Sequence, residues 1–182
     1  MPATAAASSR RPAADEHAPY YVRYIGLVPD GDIVRTLESQ LPQMLALLSG
    51  VTDEQANHRY APGKWSVKES IGHVIDAERV FSYRALVAAR GDSVALPGFE
   101  QDDYVKMGAF DSRSLRSLVH ELEVVRRSSI ALFASMSAEA WDRRVVASGN
   151  PVTARALAWI IAGHELHHRQ VLREKYLARQ AS

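Results

Sequence analysis

Between Asp32 and Ser49, apolar side chains at Ile33, Leu37, Leu41, Met44, Leu45, Leu47 and Leu48 recur every three or four residues, the period of one buried helical face. Gly50 is placed to stop that helix. The following "VTDEQANHRYAPGKW" breaks the period with Pro62 and Gly63 and reads as a connection. At its end Ser66 and Glu69 have the spacing of a capping box, in which each side chain satisfies the other residue's amide. A long second helix is predicted from there, with Val67, Ile71, Val74, Ile75, Val80, Phe81 and Leu86 on its apolar side and its end near Gly91. "SVALPGFEQDDYVKMGAF" is an irregular loop, longer than bundle connections usually are, and loops of that length often line sites. A third helix is predicted from about Asp111 or Ser112, carrying Leu115, Leu118, Val119, Leu122, Val125, Ile130 and Leu132. A polar segment with Gly149 and Pro151 leads to Thr153, a candidate cap for a last helix through Leu157, Trp159, Ile160, Ile161, Val171, Leu172 and Tyr176. No stretch alternates with the period of a strand between turn signals, so the pattern predicts an all-α four-helix bundle.

Residues 1–19, "MPATAAASSRRPAADEHAP", have no such period and are read as a disordered N-terminal tail, leaving residues 20–182 as one bundle domain. The composition, 47% hydrophobic and 24% charged over 182 residues, is that of an ordinary globular protein. A formal charge of +1 supplies no field to recruit nucleic acid or an anionic membrane, so neither is expected as a partner. No apolar run is long enough to span a bilayer. Arg10 and Arg11 are followed by acids and prolines rather than the apolar core of an export signal, and cytoplasmic residence is the expectation. Cysteine is absent, which removes thiolate ligands and a cysteine nucleophile; any metal must sit on His, Asp or Glu.

Seven histidines remain to be sorted. "AGHELHHRQVL" contains His164-Glu165-x-x-His168, the spelling of a zinc protease, in which Glu165 would be the general base. Residues four apart on a helix are rotated by only about 40° and separated by about 6 Å, so His164 and His168 can converge on one ion. His167 lies about 100° from His168 and cannot share that aim. The protease pattern fails downstream: Val171 stands where a glycine bend is needed, and Glu174 is about 15 Å further along a straight helix. The better third ligand is His73, on the flank of the apolar stripe of the second helix, where an unsatisfied imidazole is costly. His17, His58 and His120 are read as ordinary surface or packing residues, and Trp65, Trp141 and Trp159 as packing groups. Asp76 and Glu165 are candidates to orient imidazole N–H groups, with a solvated surface carboxylate as the plainer reading of each.

A tryptophan before a capped helix in "KWSVKESIGHVIDAERVFSYRALVAARGD", followed far downstream by "AGHELHHRQVLREKY", resembles the DinB/YfiT-like superfamily of metal-dependent proteins. The resemblance implies an up-down-down-up four-helix bundle, often a homodimer, with a divalent ion such as zinc or nickel held by one histidine of helix two and a pair on helix four. Carried onto this chain, those ligands are His73, His164 and His168. Characterised members include bacillithiol transferases and mycothiol-dependent maleylpyruvate isomerase. The expected function is therefore that of a metalloenzyme acting on a small molecule, a hydrolase or a transferase using a low-molecular-weight thiol. A non-catalytic, metal-stabilised stress or interaction protein and a metal-free bundle with packed histidines are the alternatives.

Overall fold

The computed structural model of the chain describes residues 7–178. Four long helices form the bundle: α1 (Ile33–Ser49), α2 (Val67–Ala89), α3 (Leu115–Ala134) and α4 (Ala154–Val171). Each begins on a side chain that accepts hydrogen bonds from the orphan amides of the first turn: Asp32, Ser66, Ser114 and Thr153. The capping box of Ser66 and Glu69 is formed as predicted. α2 lies between α3 and α4, and α1 closes the ring by packing on α3 and α4 rather than on α2. Neighbours in sequence are thus not always neighbours in space, the mark of an up-down-down-up bundle.

The core divides into two apolar clusters. One holds Leu37, Phe81, Phe133, Trp141, Trp159 and Ile160; the other holds Met44, Ile71, Leu118, Leu122 and Leu172. Between them the helices contribute polar residues: Gln40 from α1, His73 and Glu78 from α2, Arg126 from α3, and His164, Glu165 and His168 from α4, all at most 9% exposed. Buried polar groups are tolerated where they find partners, and this layer is where the bundle concentrates them.

Several expectations are corrected. Arg144–Ala147 and Asn150–Thr153 form an antiparallel hairpin before α4, with Ala147 paired to Asn150. Its two turn residues, Ser148 (φ 50°) and Gly149 (φ 76°), both have the positive φ that the commonest tight hairpin turn requires. The hairpin was hidden because its alternation spans only four residues, of which Val145 and Ala147 are buried. Leu96 joins it through hydrogen bonds with Val146 and Ser148, which pins the long loop after α2. That loop also contains a helix at Gln101–Gly108, and the connection after α1 one at Asp53–Asn57. α3 starts later than Asp111 because Phe110–Ser112 form a 3-10 turn after the left-handed Ala109.

Residues 7–19 are not a loose tail. Glu16 is 4% exposed, and its carboxylate accepts from Thr153 Oγ1 (2.8 Å) and Arg155 Nη1 (3.1 Å) at the start of α4. Arg11 donates to the carbonyls of Ile25 and Val28 and lies over the Trp159 ring, and His17 is buried, the packing alternative of its expected role. These anchors are polar and irregularly spaced, so hydrophobic periodicity gives no sign of them. Residues 1–6 of the expected tail lie outside the described residues. Among the described residues, no helix is long and apolar enough to cross a membrane.

Candidate metal centre

His73 lies two turns into α2, and His164 and His168 lie one turn apart on the facing side of α4. Their Nε2 atoms converge: 3.1 Å from His73 to His164, and 3.2 Å from His164 to His168. One ring nitrogen from each of the three lies within 4.8 Å of the others. Burial pushes all three imidazoles toward their neutral forms, His73 down to about 4 and His164 and His168 well below the ordinary value, with neighbouring histidines adding to the effect. Three neutral imidazoles pointing one nitrogen each at a common centre present lone pairs that repel unless a proton or a cation lies among them. Nitrogens bound at 2.0–2.1 Å in a tetrahedral shell stand about 3.3 Å apart, close to the separations seen here. The donor set therefore fits a divalent ion.

The surroundings hold the rings in place. Trp65, half-buried, packs its ring 4.8 Å from that of His73, whose buried Nδ1 has no hydrogen-bond partner. Ser70 Oγ stands 3.5 Å from His168 Nδ1, at the long end of hydrogen-bond reach. Tyr24 sets its ring edge-on to His164 (5.3 Å) and His167 (5.5 Å), and burial pushes its phenol up to about 12. His167 is half-buried, packs between Tyr24 and His168, and stays outside the convergent set. Sequence reading missed Ser70 and Tyr24; Ser70 lies one turn before His73 and could have been found by that spacing, whereas Tyr24 precedes every long helix.

Asp76 and Glu165 do not serve the imidazoles. Asp76 faces Arg79 at 3.6 Å. Glu165 is 2% exposed, so it is no surface carboxylate; its oxygens face Arg126 and Arg169, each at 3.6 Å, a charge contact rather than a hydrogen bond. Burial raises its carboxyl above the usual range, opposed by the two arginines. Since α4 runs unbroken through Val171 and this carboxylate looks away from the histidines, neither the bend nor the base of a zinc protease is present.

Tyr24 reaches His164 because α4 offers a glycine there. A Cβ on Gly163 would fall 2.0 Å from the Tyr24 carbonyl oxygen, a backbone atom that cannot swing aside. Gly163→Ala is expected to push the Tyr24 segment off α4 and cost about 2–3 kcal/mol, as overpacking does. Urea unfolding checks this; a midpoint equal to that of the unaltered protein would show that the segment is not held against the helix.

His73 and His164 line a cavity of about 440 Å³ together with Tyr24, Phe81, Arg84 and Phe99, and His168 sits behind them. A helical bundle with three buried imidazoles drawn from two facing helices, two of them at the wall of such a cavity, is the architecture of a bundle metalloprotein. The chain belongs to the DinB superfamily, whose sequence profile matches residues 36–172. A protein of Geobacillus thermodenitrificans named "Putative metal-dependent hydrolase" is 26% identical over 132 residues, covering 71% of this chain and 74% of that one. Among solved structures, YfiT from Bacillus subtilis, described as "a probable metal-dependent hydrolase with an unusual four-helix bundle topology", is similar with a TM-score of 0.67 at 13% identity, over 95% of this chain and 97% of that one. The mycothiol-dependent maleylpyruvate isomerase is similar with a TM-score of 0.64 at 15% identity, over 80% of this chain and 61% of its own. At those identities the two structures speak for the fold.

Proposed function

We propose that this protein is a metal-dependent hydrolase of a small molecule, with His73, His164 and His168 as the ligands of a divalent ion, zinc or nickel. The observation that carries the reading is the convergence of three buried Nε2 atoms, those of His73 and His164 at the wall of a cavity. The metal-dependent descriptions of the relative and of the similar fold support it. An ion held there supplies Lewis acidity, polarising a carbonyl or lowering the pKa of water. The chain's own residues do the rest. Trp65 and Ser70 fix the imidazole planes, Tyr24 and Phe81 shield the site from bulk water, and the low polarity of these walls strengthens every charge interaction inside.

Thiol transfer is the second reading, favoured by the resemblance to the mycothiol-dependent isomerase fold. With no cysteine in the chain, the thiol would have to enter as a co-substrate. Homodimer formation and cytoplasmic residence belong to the same proposal.

Protein purified without a histidine tag is expected to carry about one zinc or nickel per chain by elemental analysis and to melt at lower temperature after chelation. A chain that carries no metal and gains no melting temperature from added zinc or nickel would sink the reading and leave a bundle whose histidines pack. Metal-loaded protein is then expected to turn over an ester or amide panel without thiol; turnover only with an added thiol would favour transfer. Persistent inactivity with metal bound would favour the non-catalytic bundle.

A further inference from the structure

Among the described residues, three arginines are at most 3% exposed, and two of them are conventionally paired. Arg126 faces Glu78, and Arg155 faces Glu16 and Asp142. Arg84, on α2, is the exception: its Nη2 donates to the Pro97 carbonyl (2.7 Å) and to Ser148 Oγ (3.2 Å), and no carboxylate among the described residues comes within ion-pair distance. Burying a guanidinium without a countercharge is expensive. The cavity's own acids, Glu100 and Asp102, are solvent-exposed and do not reach it.

The position of this charge is informative. Arg84 lines the same cavity as His73 and His164. It follows His73 by eleven residues, three helical turns and about 20°, so both side chains leave the same face of α2, and long helical side chains lean toward the N-terminus. The Phe81 ring connects the two ends, with the His164 ring 6.1 Å from it and the Arg84 Cζ 5.9 Å from it. Phe99 places a second ring 5.9 Å from that Cζ. A cavity with a planar, forked cation at one end, aromatic walls and imidazoles at the other matches a short acid with an apolar body.

We infer that Arg84 is the carboxylate-binding residue of this cavity, and that the substrate is a small aryl or alkyl carboxylic acid whose body lies along Phe81 and Phe99 while its other end reaches His73 and His164. This rests on the metal-centre reading for the reaction, but the binding it describes does not need the ion. Ser148 and Pro97 orient the guanidinium, which gives the hairpin turn and the long loop after α2 a part in specificity. A planar fork suits a carboxylate held by two parallel N–H donors.

Calorimetric titration of the metal-loaded protein with 3-phenylpropionate and with its neutral amide tests this. The acid is expected to bind at least tenfold more tightly than the amide, and Arg84→Met to weaken the acid at least tenfold while leaving the amide unchanged. Arg84→Lys, which keeps the charge without the fork, should retain part of the preference. The same titrations on chelated wild-type protein separate the two readings: a preference for the acid that survives chelation belongs to Arg84, and one that vanishes belongs to the ion and overturns the inference. So would equal affinities for acid and amide, no measurable binding of the acid at millimolar concentration, or a preference undiminished in Arg84→Met. Should Arg84→Met fail to fold, judged by circular dichroism, the wild-type comparison with and without metal and the Lys variant still decide. Failure of metal loading leaves these binding results intact, so the two proposals fall separately.

Discussion

His168→Ala is expected to abolish stoichiometric binding of zinc or nickel, and His73→Ala to do the same, while His167→Ala leaves it intact. The expectation follows from the three-way convergence at 3.1 and 3.2 Å, from which His167 is excluded by its place on α4. Removing one of three imidazoles from a site whose whole binding energy is on the order of 10 kcal/mol should cost several of those, about a thousandfold or more in affinity. Competition titration against a chelator of known affinity measures the loss, and elemental analysis of the purified variants confirms it. Full metal content in His168→Ala together with its loss in His167→Ala would show that the ligand set is wrong. The comparison of neighbours controls for fold damage, because both substitutions remove an imidazole from the same turn of the same helix.

The second large effect is expected at Arg126. Its guanidinium holds Glu78 through two parallel hydrogen bonds of 2.8 and 2.9 Å, donates to Gln40 Oε1 at 3.3 Å, and faces Glu165 at 3.6 Å. Arg126→Leu would leave two carboxylates in the interior with only Arg169 to face one of them. Breaking a buried pair by removing one partner costs about 3–5 kcal/mol, a large share of the stability of a domain this size. Adding Glu78→Leu and Glu165→Leu to the same chain should restore most of the loss, since an apolar replacement of a whole buried network is often neutral. Urea unfolding of the two variants measures both terms. A single variant within about 1 kcal/mol of wild type would mean that the network is not closed as described.

Periodicity revealed the four helices, since each must bury one stripe; helical spacing paired His164 with His168, and His73 was added for its place on the apolar flank of another helix. What stayed hidden depends on partners that no local pattern encodes. Glu165 is embedded in helical sequence like any surface acid, and only the assembled bundle, across whose interior Arg126 reaches from α3, supplies its partner. The hairpin turn uses Ser148 at positive φ, where a second glycine would have been the signal. Arg84 was legible in principle from its shared face with His73, but a lone arginine on a helix gives no hint that its countercharge is missing.

The fastening of the N-terminal segment has a consequence for the order in which the molecule assembles. Glu16 and Arg155 are 139 positions apart, and Gln40 reaches the Ala162 carbonyl across 122. Contacts so distant along the chain pay the full entropy of loop closure and gain nothing until α4 is in place. The segment carrying Tyr20, Tyr21 and Tyr24, which walls the cavity, is therefore expected to dock late in folding and to open early. On that expectation, amide exchange in this segment would be faster than in the four helices and would report on entry to the cavity rather than on the stability of the bundle.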